Sequence, residues 1–135
     1  MAVVRFGVSV ESEVLEILDQ YIQANHFPNR SQAIRNLIQE IDVKQQWKAN
    51  EIVGGSLTLI YDLHKREIAD KLITIQQDYM HLIMCSQRIH IDHNHSMEVI
   101  AMKGPAFTLQ QLANKLIAVK GVIHGDLSMT KMKSK

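Results

Sequence analysis

The chain has 135 residues, of which 46% are hydrophobic and 21% charged, with one cysteine and a formal net charge of +1. Such a chain folds as one ordinary domain or two small ones, which excludes wholesale disorder. Nucleic-acid binding would have to come from locally placed groups, and 5% aromatic residues disfavours a protein that stacks single-stranded bases on exposed rings.

Cys85, standing alone, cannot close an intramolecular disulfide and fits the reducing cytoplasm, the expected location. No apolar run is long enough to cross a bilayer, and the N-terminus lacks the charged-then-apolar pattern of a signal peptide. No membrane partner is therefore expected.

The stretch VVRFGVSV (3–10) alternates, with Val4, Phe6, Val8 and Val10 on one face and Arg5, Gly7 and Ser9 on the other. From Ser12, helical spacing links Val14, Leu15, Ile17, Leu18, Tyr21 and Ile22. NHFPNRS (25–31) is a turn in which Pro28 blocks continuation and Ser31 is suited to cap the next helix. Ile34, Leu37, Ile38 and Ile41 mark that second amphipathic helix, which extends toward Trp47.

A lone strand and two short helices leave much apolar surface uncovered. The economical solution is an intertwined dimer whose strands pair antiparallel over four helices, a ribbon-helix-helix. Its ribbon enters the major groove of double-stranded DNA, with Arg5, Gly7 and Ser9 facing the bases. Backbone N–H groups around Arg30 and Ser31 then face phosphate. The competing reading makes the same elements part of an ordinary mixed core.

Residues 51–135 follow a different pattern. GGSLTLIYDL (54–63) reads as a strand, Lys65 to Gln77 as a helix, and HLIMCSQRIHI (81–91) as a strand. DHNH (92–95) turns, MEVIAMKG (97–104) returns, TLQQLANKLIAV (108–119) is a helix, and VIHGDLSMT (122–130) is the last strand. The order βαββαβ predicts a ferredoxin-like sandwich with helices on one face of an antiparallel sheet. The fold class is thus α+β, with a DNA-binding domain over 1–50 and a second domain over 51–135.

RIHIDHNHSMEV (88–99) places His90, His93 and His95 within six positions, a pattern common at transition-metal sites. The plainer alternative leaves His93 and His95 as solvated turn residues. Read as one unbroken strand, 81–91 puts Met84, Ser86, Arg88 and His90 on one face and Ile83, Cys85, Ile89 and Ile91 on the other. The apolar set is expected to face the helices, with Cys85 buried. Arg88 and His90 would then lie on the open face beside Ser96 and Glu98, and Met84, His90 and Ile100 would form its association surface. His81, at a strand start, and His124, near Gly125, read as structural, and His26 and His64 show no partner pattern.

The ordered set RFGVSV, LEILD, NRSQAIRNLI, Trp47, GGSLTLIYDLHKRE, RIHIDHNHSMEVIAMKG and KGVIHGDL closely resembles the nickel-responsive regulators, the NikR family. The resemblance covers nearly the whole chain. It implies a ribbon-helix-helix dimer on palindromic operators and ACT-type second domains that join two dimers into a homotetramer. It also implies a transition metal, nickel, held at the interface.

The positions that match the family's nickel ligands are Gln77, Arg88, His90 and Ser96, so only one imidazole of the implied set is present. Arg88 brings a fixed positive charge and no lone pair. Two further positions implied to hold a cation, Gln32 and Asn36, are amides here.

The expected function is therefore a sequence-specific DNA-binding transcriptional regulator with an altered or lost nickel site. Alternatives are a regulator that answers another transition metal or a small molecule at the ACT-type interface, or an oligomeric module without DNA binding. Enzyme signatures are lacking: there is no nucleophile elbow, phosphate-binding glycine loop or helix-borne His-Glu motif.

Overall fold

Described here for residues 2–132 of a computed structural model, the chain divides into two compact units, Met1–Ile41 and Asp42–Lys135. Met1 and residues 133–135, the outer ends of the two expected domains, lie outside the described residues.

In the first unit, residues 2–11 form neither helix nor strand and pair with no strand among the described residues. Helix α1 (Ser12–Ala24) has apolar residues at helical spacing, yet none of them is fully buried. Asn25 closes it by donating its side-chain amide to the Tyr21 carbonyl at 2.9 Å, and His26 turns the chain away in the left-handed region at φ 58°.

Helix α2 (Arg30–Lys48) follows. Its cap is Asn29, not the expected Ser31: Asn29 Oδ1 accepts the backbone N–H of Gln32 at 2.8 Å. The cap falls two residues early because the helix begins directly after Pro28-Asn29, which puts Ser31 inside the first turn. The division between the two compact units lies within α2, between Ile41 and Asp42. Its last turns bury Gln46 and Trp47 in the second unit, and Trp47 joins that unit's core.

The second unit is built from β1 (Ile52–Asp62), α3 (Arg66–Gln77), a 3₁₀ turn (Met80–Leu82), β2 (Ile83–His90), β3 (His95–Pro105), α4 (Ala106–Ile117) and β4 (Val122–Met129). The strands form one sheet in the order β2-β3-β1-β4, with every neighbouring pair antiparallel. This is the expected split βαβ arrangement.

Alternation places Val53, Leu57, Leu59 and Tyr61 of β1 inside, and their partners on β3 include the buried Ile100, Glu98 and Ser96. Ile68 and Leu72 of α3 and Leu109, Leu112, Ala113 and Leu116 of α4 complete the same core. Gly121, at φ 103°, makes the turn into β4; a Cβ there would collide with Ile68.

Strand β2 departs from simple alternation. Ile83 pairs with Met102, but Cys85 pairs with Ala101, so Met84 is an extra residue in a bulge. Beyond it Ser86, Arg88 and His90 stand opposite Ile100, Glu98 and Ser96, on the helix-covered face. The expected faces are therefore reversed: Cys85 is exposed, and Ile89 pairs with Met97 on the open face. Ile100 is fully buried and no part of an association surface. An inserted residue inverts every side chain that follows it.

Candidate functional site

The bulge brings Arg88 to the margin of the helix-covered face, next to a buried carboxylate. Glu98 is only 4% exposed. Its Oε1 accepts the Tyr61 hydroxyl at 3.0 Å; its Oε2 accepts the Gln76 amide at 2.9 Å and the Ser86 hydroxyl at 2.8 Å. Arg88 Nη2 lies 3.8 Å from Oε1, and the guanidinium carbon sits 5.9 Å from the centre of the Tyr61 ring.

Three strands and α3 therefore converge on one anion. A carboxylate removed from water is tolerated when its lone pairs are matched by donors and a cation stands nearby, as here. Burial, and then the negative Glu98, push the Tyr61 phenol up to about 12, although Arg88 pulls the other way. Tyr61 thus remains a donor at any physiological pH.

The four positions implied to hold nickel are dispersed in role. Arg88 serves Glu98, Ser96 is buried, and His90 and Gln77 are exposed. Guanidinium has no lone pair, and a protonated serine hydroxyl is a poor donor to Ni(II). These side chains do not fit a square-planar nickel site. Arg88 meets Glu98 within the chain itself.

The histidine stretch forms a hairpin tip. His95 Nδ1 and the backbone N–H of His95 both lie within 2.9 Å of Asp92 carboxylate oxygens. The bond to His95 holds the Asp92 carboxyl below its usual range. The His93 carbonyl meets His64 Nε2 at 2.8 Å, and His90 pairs with Ser96. Among the described residues no three His, Cys, Asp or Glu side chains are grouped to hold a metal ion. His90, His93 and His95 are thus not brought to a common point.

In the first unit, Arg5, Gly7 and Ser9 lie along the exposed arm, and nothing lies within 4 Å of the space a Cβ on Gly7 would take. Arg30 makes a bidentate pair with Asp19 of α1, both bonds at 3.1 Å, and Ser31 is exposed one residue on. That pair raises Arg30 and lowers Asp19 from their ordinary values, chiefly through the hydrogen bonds between them. Asn36 Nδ2 donates to the Tyr21 hydroxyl at 3.0 Å, and Gln32 is exposed on the first turn of α2.

Sequence reasoning overlooked Tyr61, Gln76 and Ser86. A signal existed for Gln76, which continues the buried α3 stripe of Ile68 and Leu72 at a spacing of four. A polar residue on such a stripe needs a buried partner.

A helical unit with unburied apolar residues, followed by an antiparallel ferredoxin-like domain, defines a small two-part α+β protein with an ACT-like domain. The model of the NikR C terminal nickel binding domain matches residues 54–130. A protein of Syntrophus aciditrophicus is 42% identical over 128 residues, covering 95% of this chain and 93% of its own. One from Chlorobium phaeobacteroides is 43% identical over 126 residues, covering 93% and 94%. One from Thermococcus kodakarensis is 38% identical over 131 residues, covering 96% and 95%. Each carries the name nickel-responsive regulator as a provisional assignment. The chain belongs to the NikR family of nickel-responsive regulators.

The structure of an uncharacterized Thermotoga maritima protein superposes with a TM-score of 0.55 at 16% identity, covering 60% of this chain and all of that one, which is a likeness of fold. Among the described residues no helix is long and apolar enough to cross a membrane.

Proposed function

We propose that this regulator binds double-stranded operator DNA through its first unit and no longer uses nickel at the family's position. The observation that carries the second part is Arg88 beside buried Glu98. A protein-borne cation stands where the resemblance implies a metal cation, so the charge is present permanently.

The DNA-binding part rests on the first unit's chemistry. Val4, Phe6, Val8 and Val10 are exposed along the arm, and α1 has no buried residue. Pairing two arms antiparallel over both copies' helices would cover these side chains and leave Arg5, Gly7 and Ser9 facing the major groove. Arg30, oriented by Asp19, and Ser31 stand at the start of α2, where backbone N–H groups attract phosphate.

Association beyond the dimer is supported by the open sheet face, where Ile60, Ile89, Met97 and Val99 are not fully buried. The assembly is then a homotetramer, a dimer of dimers. The role is regulatory and non-enzymatic, and the place of action is the cytoplasm.

Nickel titration of the protein, run beside an operator-binding assay at fixed salt, tests the reading. The expected result is duplex binding without added metal and no stoichiometric nickel uptake. The variant Arg5→Ala should lose about 1–3 kcal/mol at a specific site. Tight nickel binding abolished by His90→Ala would point instead to a site built from His90 with His93 or His95.

A small-molecule effector is the second reading. Arg88 is 41% exposed, so part of the guanidinium stays open to solvent and to a carboxylate-bearing ligand.

A further inference from the structure

The last described residues are tied to the end of α2, and the contacts form a consistent set. Strand β4 ends at Met129, and the chain then turns onto the helix. Thr130 gives two hydrogen bonds to one acceptor: its N–H at 3.0 Å and its hydroxyl at 2.7 Å both meet the Gly54 carbonyl. That fixes the Thr130 carbonyl, which accepts the Trp47 indole N–H at 2.9 Å. One residue on, Lys131 Nζ reaches Asp42 Oδ2 at 3.0 Å, with both side chains only about one-fifth exposed, at 21% and 20%. Gln46, one turn along α2, donates to the same carboxylate oxygen at 3.3 Å.

Two glycines make room for this crossing. A Cβ on Gly54 would lie 2.8 Å from Thr130 Oγ1, and one on Gly55 would lie 3.3 Å from the Trp47 ring. The strand beneath is thinned where the helix end and the chain end both come down on it. Asp42 and Gln46 are i, i+4 neighbours on α2 and Trp47 follows directly, so the tail's contacts span a stretch longer than a turn.

We propose that residues 130–132 are a strap that holds the last turns of α2 helical against the sheet, so that the helix leaving the second unit toward the DNA-binding unit starts from a fixed base. The carbonyls of Gln45, Gln46 and Trp47 already accept the N–H groups of Ala49, Glu51 and Asn50, and what the strap adds is side-chain anchorage at Asp42 and Trp47, without which a helix end opens more readily. With the strap in place, the ordering of these turns is complete before an operator is met. Without it, part of the binding free energy goes into ordering them. The link to DNA rests on the function proposed above, whereas the grip on α2 does not.

The protein carries its own reporter, since Trp47 is the one tryptophan of the chain. The experiment compares the full chain with Lys131→Met, Asp42→Asn and a chain ending at Met129. Readouts are tryptophan emission, amide exchange over residues 44–51 and operator affinity at fixed salt. Removing the strap should shift emission to the red and speed exchange of the Ala49 and Glu51 amides by about tenfold, as an opening equilibrium relaxes. Amides of β1 and β3 should keep their protection. The two point variants should give smaller shifts in the same direction, and all three should bind the operator more weakly, by about threefold to tenfold for the shortened chain.

Unchanged emission and exchange in the shortened chain would overturn the strap. A loosened helix with undiminished operator affinity would overturn its service to DNA binding. If the full chain bound no duplex DNA, the proposed function would fail, and emission and exchange would still decide the strap.

Discussion

Leu57, Leu59, Leu72, Leu109, Leu112 and Leu116 of the second unit are completely buried within one chain, whereas Val3, Val4, Phe6, Val8 and Ile17 of the first are 67–88% exposed. Both units carry apolar residues at regular spacing, so pattern alone does not distinguish them. The difference is one of partners. A four-stranded sheet has a whole face for α3 and α4 to cover, but an unpaired arm and a short helix pair have no second layer. Local periodicity thus reveals which side chains want burial, not whether the burying surface belongs to the same molecule.

The largest expected effect lies in the self-sufficient core. Leu112→Ala should destabilise the second unit by about 2–5 kcal/mol, measured by denaturant unfolding at one fixed protein concentration. A neutral result would erase the contrast between the units.

Glu98→Leu should follow, at about 3 kcal/mol, because the Tyr61 and Gln76 donors are left buried without their acceptor. Denaturant unfolding measures it. A neutral result would mean that the polar cluster is replaceable by ordinary packing.

Phe6→Ser probes the other side of the comparison. Phe6 is 71% exposed in the single chain, so loss of its burial there should cost almost nothing. In a paired arm the same change should weaken self-association by about 1.5–3 kcal/mol, the value of one buried large side chain. Sedimentation at several concentrations separates the two outcomes.

The smallest effect is spectroscopic. In an alkaline titration followed in the ultraviolet, Tyr61 should ionise near 12 rather than 10.0. Because the folded value lies above the unfolded one, its stabilising share is whole below pH 10 and is lost as the pH climbs through 12. Glu98→Leu should return Tyr61 toward its ordinary range if the neighbouring charge contributes as described.

Much of the architecture was readable from residue order. The helices from Ser12 and Lys65, the βαββαβ succession and the turn at 92–95 all follow from spacing and from glycine, proline and asparagine placement. The site was harder to read. Cys85 looked apolar enough for the core, yet the bulge at Met84 turned it outward and carried Arg88 in. Bulges depend on what the neighbouring strand presents, so a single strand's sequence does not announce them. Asn29 displaced Ser31 as the cap because its side chain, two residues earlier, is equally able to accept a backbone N–H and the helix starts directly after it. Glu98 was legible as a strand residue, but the donors that satisfy it come from β1, α3 and β2, far apart in sequence.

The single extra residue at Met84 works as a phase shift in a signal of period two. It leaves composition, length of strand and hydrogen-bonding partners nearly untouched, while exchanging inside for outside along the rest of β2. Changes in the chemistry presented at a sheet margin need not come from new side chains. Loss or gain of one residue in a strand gives an old set of side chains a new audience, and here that set is Ser86, Arg88 and His90.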